Sequence, residues 1–135
     1  MRAYISISFS KRNQLSTELK AIADSLRKFD IEAFVFVDQY SFTSEQEKEM
    51  MERAFSSIEL SDLFIAEVSD KAIGIGVEVG FAKAKGKQII YLRKRNAEHS
   101  TTVSGSSDYR LIYDDTDSLS LGLNFILRKH YNFPG

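Results

Sequence analysis

The chain has 135 residues, 43% of them hydrophobic and 27% charged, with a formal net charge of −1 and no cysteine. This composition describes one ordinary globular domain, gives no electrostatic case for binding nucleic acid or an anionic membrane, and excludes disulfides, thiolate metal sites and a cysteine nucleophile. No apolar stretch reaches the roughly 18 residues of a membrane span and the N-terminus lacks the charged-then-apolar order of a signal peptide, so a cytoplasmic location is expected.

Apolar runs of strand length alternate with longer amphipathic stretches, the pattern of βαβ units. Ala3 to Phe9 reads as the first strand. Leu15, Leu19, Ile22, Leu26 and Phe29 then recur at threes and fours, one face of a helix packed on a sheet. Ile31 to Val37 is a second strand. Ser44 with Glu47 reads as a capping box that opens a helix whose Met51, Ala54, Phe55 and Ile58 face inward. Asp62 to Val68 is the third strand and Gly74 to Lys85 the next helix, with Gly86 in the left-handed position just past its end. Gln88 to Leu92 and Tyr109 to Tyr113 complete the strands, separated by the polar loop Arg93 to Ser107, which is too long for a simple connection. A last helix carries Leu119, Leu123, Ile126 and Leu127. Right-handed crossovers then predict a five-stranded parallel sheet in the order 2-1-3-4-5, a single-domain, three-layer α/β sandwich of the flavodoxin/Rossmann-like kind.

In that order the first and third strands are neighbours and the chain reverses direction of travel between them. Open α/β sheets bind ligands at such a point, beyond the C-terminal ends of the strands. Two segments meet there. The first holds Ser6, Ser8, Ser10, Lys11 and Arg12 at a helix start, where free N–H groups and hydroxyls can hold an anion; the alternative is that Ser10 only caps the helix. The second is GIGVEVG, from Gly74 to Gly80, in which Gly74 and Gly76 would allow a sharp turn and a close approach of ligand to the main chain, with Glu78 facing the bound molecule. An acid in the first turn of a helix is also favoured by the macrodipole, by about 0.3 to 1 kcal/mol. Against that reading, glycines at 74, 76 and 80 cost backbone entropy that a merely structural helix start has no reason to accept. The spacing differs from the dinucleotide fingerprint. Glu67 is a second acid near the strand end and equally a solvated charge. Two histidines without a carboxylate cluster make no metal site, and no cofactor is expected.

The stretch from Asp62 to Leu92, DLFIAEVSDKAIGIGVEVGFAKAKGKQIIYL, resembles the nucleoside 2-deoxyribosyltransferase superfamily, including the 2′-deoxynucleoside 5′-monophosphate N-glycosidases. A weaker likeness runs from Tyr4 to the acidic turn at Asp114 and Asp115. The resemblance implies cleavage or transfer of the N-glycosidic bond of a 2′-deoxynucleoside or its 5′-monophosphate. Glu78 would be the nucleophile at the anomeric carbon, forming a glycosyl ester that water or a second base resolves. Tyr4 would orient Glu78, the alternative being a plain core tyrosine. Ser6, Ser8, Ser10, Gly74 and Gly76 would surround the substrate. Ser100 matches a serine that reaches across a dimer interface to the neighbouring subunit's substrate phosphate, which implies a homodimer or higher homo-oligomer. Arg93, Lys94 and Arg95 either attract that phosphate or form a solvated face.

Three positions depart from the family pattern. Ala54 stands where an acid or amide helps hold the nucleophile, Ala72 where a polar residue meets sugar or phosphate, and Ile7 and Ser8 where a glycine is common. Such losses imply a changed substrate, replacement by Glu52, Glu49 or Asp38, or a catalytically inactive nucleotide-binding or sensing module of the same fold. A flavodoxin-like electron carrier or a response-regulator receiver rests on strand order alone, and the receiver lacks its acidic pair after the first strand.

Overall fold

The five apolar runs are short, rich in β-branched and aromatic residues, and covered on both faces, which favours parallel strands. They form β1 (Arg2–Ile7), β2 (Glu32–Val35), β3 (Leu63–Glu67), β4 (Gln88–Lys94) and β5 (Tyr109–Tyr113). All pair in parallel, in the order β2-β1-β3-β4-β5 expected from the crossover rule. The computed structural model describes residues 1–131.

Alternation along the strands divides the core in two. Ala3, Ile5, Ile65, Ile90 and Leu92 pack under α1 (Ser16–Arg27) and α6 (Thr116–Tyr131). Tyr4, Phe64, Ala66, Ile89 and Tyr91 pack on the other face, with Ala54 and Ile58 of α3 (Glu47–Glu59) and with Ile75, Val79 and Ala82 of α4 (Ile73–Ala84). The register sets Tyr4 beside Phe64 and Ser6 beside Ala66. Both side chains of the β1 pair therefore point toward the α4 side.

Several boundaries differ from the sequence reading. β1 stops at Ile7, because Ser8 leaves the sheet and residues Phe9–Leu15 wind as a 3₁₀ turn. β2 stops at Val35, and Phe36–Gln39 make a single helical turn, α2, that folds Phe36 into the Tyr4 core. The box before α3 is made one residue earlier, by Thr43 and Gln46, with the Thr43 N–H donating to Gln46 Oε1 at 2.9 Å. Within α3, Ala54, Ser57 and Ile58 are buried while Met51 and Phe55 are half-buried. The stretch from Arg93 to Ser107 is not one long loop, since β4 runs on to Lys94 and Thr101–Ser106 form α5. Gly86 takes the left-handed conformation expected, at φ +74°.

Candidate active site

The site forms where the end of β1 faces α4. Tyr4 Oη donates to Glu78 Oε2 at 2.5 Å and Ser6 Oγ donates to Glu78 Oε1 at 2.6 Å. Two residues apart on one strand share a face, which is why both hydroxyls reach one carboxylate. Tyr4 is fully buried, its ring 5.4 Å from that of Phe64 and 6.1 Å from that of Phe36. It is both a core residue and a donor. Glu78 lies in the second turn of α4, whose first turn holds no acid, so the macrodipole does not account for it.

Helical side chains lean toward the N-terminus, which carries Glu78 back over the turn that holds Gly74. A Cβ at Gly74 or Gly76 would meet nothing within 4 Å, and among the described glycines only Gly86 has a positive φ. The expectation of a sharp glycine turn is thus corrected. These glycines sit in ordinary helix, exposed, with open space where a side chain would stand. Burial pushes the Glu78 carboxyl above the usual range, and the hydrogen bonds from Ser6 and Tyr4 pull against it without cancelling it. Burial and the neighbouring Glu78 push the Tyr4 phenol far up, so it remains a donor across the physiological range.

The serines after Tyr4 do different work. Ser8 is buried and donates to Asp70 Oδ2 at 2.6 Å, tying the end of β1 to the connection between β3 and α4. Ser10 is exposed inside the 3₁₀ turn, 3.2 Å from Ser8 Oγ, and α1 starts after Leu15 instead, so Ser10 does not cap it. Arg12 grips Asp38 through Nε at 2.7 Å and Nη2 at 2.8 Å. The pair ties the 3₁₀ turn after β1 to α2. The short Ser69-Asp70 pair reads in the sequence as an ordinary turn and carries no signal of this contact.

Two cavities open at α2 and α4, neither lined by Tyr4, Ser6 or Glu78 themselves. One, of about 550 Å³, is walled by Phe9, Phe36, Tyr40, Phe42, Met50 and Asp38, and adjoins Tyr4 through Phe36. The other, of about 420 Å³, is lined by Gly76, Lys71, Ala72, Ser100, Thr101 and Thr102. Ser100 is buried there beside Gly76 of its own chain, and its N–H donates to Tyr91 Oη at 3.2 Å.

The basic run is largely spent on structure. Arg93 donates to the carbonyls of Lys94, Arg95 and Ala97, Lys94 pairs with Glu18 at 3.3 Å, and Arg95 with Asp114 at 2.6 Å. Ala54 lies in the core, and Glu49 and Glu52 are exposed. Glu67 is neither solvated nor within this site. It is fully buried on the opposite face of the sheet, bonded to Ser69 and Tyr113. Burial raises its carboxyl above the usual range against the pull of those bonds.

Residues 6–120 match the sequence profile of the family described as Nucleoside 2-deoxyribosyltransferase. A protein of Thermofilum pendens named "Putative 2'-deoxynucleoside 5'-phosphate N-hydrolase 1" is 33% identical over 75 residues, 52% of this chain and 52% of that protein. The chain thus spans about half the length of the curated relative it matches. Two solved structures share the fold. The CMP N-glycosidase of Clostridium botulinum superposes with a TM-score of 0.70 at 19% identity, over 92% of this chain and 99% of that one. The 2-deoxyribosyltransferase of Bacillus psychrosaccharolyticus does so with a TM-score of 0.68 at 16% identity, over 89% and 90%. With the profile covering most of the sequence and the Glu78 segment inside it, the chain belongs to the nucleoside 2-deoxyribosyltransferase family.

Proposed function

We propose that the protein is an enzyme that breaks the N-glycosidic bond of a 2′-deoxynucleoside or its 5′-monophosphate, with Glu78 as nucleophile. The observation that carries this reading is the Glu78 carboxylate with one oxygen held by Tyr4 and the other by Ser6 at the end of β1. A carboxylate suits an oxocarbenium-like centre, because it stabilises developing positive charge before it bonds. In the first step a Glu78 oxygen bonds to the anomeric carbon while the carbon–nitrogen bond breaks, and the base departs with the electron pair. In the second, water adds its oxygen to that carbon and frees Glu78, its proton passing to solvent; a second base in place of water completes transfer.

The two cavities support the same reading. Phe36, Tyr40 and Phe42 offer aromatic faces on which a planar base can stack, in a cavity that adjoins Tyr4. The hydroxyls of Ser100, Thr101 and Thr102 and the Lys71 ammonium line one cavity and suit a phosphate, which in a twofold dimer would be that of the partner subunit's substrate. Ser8 and Ser10 would then act by shaping the loop beside the sugar.

The test is free-base release from a panel of deoxynucleosides, their monophosphates and the ribose counterparts, with and without an acceptor base. Glu78→Gln should abolish release while leaving ligand binding largely intact, since the carboxylate acts only along the reaction path. Wild-type release by Glu78→Gln would refute the nucleophile. Nucleotide binding by a wild type that releases no base would instead make the chain a binding module.

A further inference from the structure

Glu67 is a buried carboxylate that the proposed reaction does not use. It ends β3 on the face opposite Tyr4 and Ser6, between Ile7 and Leu92. Its Oε1 accepts the Ser69 N–H at 2.7 Å, and its Oε2 accepts the Ser69 hydroxyl at 2.9 Å and the Tyr113 hydroxyl. Ser69 Oγ accepts in turn from the Lys94 N–H at 2.9 Å. The C-terminal ends of β3, β4 and β5 thereby converge on one carboxyl group. Such a group is costly to bury, and well-packed apolar residues often hold a core as firmly.

What distinguishes this corner is the segment it fixes. Asp70, next to Ser69, accepts from Ser8 Oγ at 2.6 Å, and Ser8 lies two residues beyond Ser6, whose hydroxyl meets Glu78 at 2.6 Å. The same connection continues into α4, which bears Glu78 itself. The end of β1 beyond Ser6 and the start of the helix that bears Glu78 are therefore both joined to the Glu67–Ser69 contact.

We infer that Glu67 is a positioning residue for Glu78: by fixing Ser69 it sets Asp70 and, through Ser8, the end of β1, so that Ser6 meets Glu78 in the reacting geometry. This rests on the N-glycosidic reading above.

Base-release kinetics of Glu67→Gln, Asp70→Ala and the double variant test it. Since a reacting group displaced by about 1 Å can lose roughly a hundredfold in rate, Glu67→Gln, acting at one remove, should lower kcat about tenfold with KM within about twofold. The double variant should be no slower than the slower single, as residues acting as one unit are not additive. Tyr113→Phe removes the other donor to Oε2 and a contact with the Ser69 hydroxyl but leaves the Ser69 N–H on Oε1, so it should lower the melting temperature and cost less in kcat than Glu67→Gln. Should Glu67→Gln fail to fold, Ser69→Ala takes its place and carries the same expectation. An unchanged kcat in that variant, or losses that multiply in the double, would overturn the positioning role and leave Glu78 as nucleophile. Absence of wild-type turnover, or full base release by Glu78→Gln, would overturn both.

Discussion

At Glu78, burial and hydrogen bonding act on one carboxylate in opposite directions. Burial raises its pKa, and Ser6 and Tyr4 lower it by less. Removing the Tyr4 hydroxyl therefore raises the pKa further and leaves less of the ionised nucleophile at a given pH. For Tyr4→Phe the acid limb of kcat/KM should move to higher pH, and the plateau should fall by about 1.5–3 kcal/mol in barrier terms, the worth of a hydrogen bond to a charged group. A pH–rate profile of both proteins checks it, and a limb that stays in place would mean that Tyr4 does not touch the reacting form of Glu78. Glu67 gives a separate prediction, on stability. Its folded-state pKa is raised, so the native state holds more protons than the unfolded chain above about pH 4.3, the unfolded value for glutamate. Its contribution is full below that pH and is lost as pH rises through the folded value. Urea midpoints of Glu67→Gln should accordingly fall less steeply with rising pH than those of the wild type.

Among the elements, the five strands and the four longer helices are legible in the sequence, whereas α2, α5 and the ends of the elements are not. The sequence offers two overlapping boxes before α3, Thr43 with Gln46 and Ser44 with Glu47, and both fit the pattern of a hydroxyl followed by an acid or amide three residues on. Local chemistry does not choose between them, and the fold makes the first. The end of β1 was misplaced for a similar reason, since Ser8 leaves the sheet to meet Asp70, 62 residues away in sequence. Gly86 was legible because a left-handed residue after a helix is a local matter. Gly86→Ala keeps φ +74° only against a steric cost, so it should destabilise the fold by about 1 kcal/mol with base release unchanged, as measured by urea denaturation and the panel assay.

At the scale of the whole molecule, large apolar side chains are left exposed on α4 and, at Leu121 and Phe125, on α6. On α4, Ile73 is 89% exposed and Val77 45% exposed, with Gly76 and Gly80 between and beyond them. We propose that this face packs against a second copy in a twofold dimer, bringing each Ser100 near the partner's pocket. Sedimentation at micromolar concentration should show a dimer, and Ile73→Asp with Val77→Asp should convert it to monomer. A wild type that sediments only as monomer would refute this arrangement, and base release by that monomer would locate the whole site within one chain.

The sequence by itself determined the layer order, the strand order and the segment that places Glu78 at the sheet's end, because periodicity and crossover handedness are repeated along the whole chain. It also determined that Tyr4 and Ser6 share a face, because strand alternation is strictly local. Only the tertiary structure decided what each polar side chain meets. Ser6 turned out to hold Glu78, Ser8 to hold Asp70, Arg12 to grip Asp38, and Glu67 to face the opposite core. Each of these depends on a partner from a separate segment, and a hydrogen bond between two segments is fixed by how the layers pack, which neither segment's pattern contains.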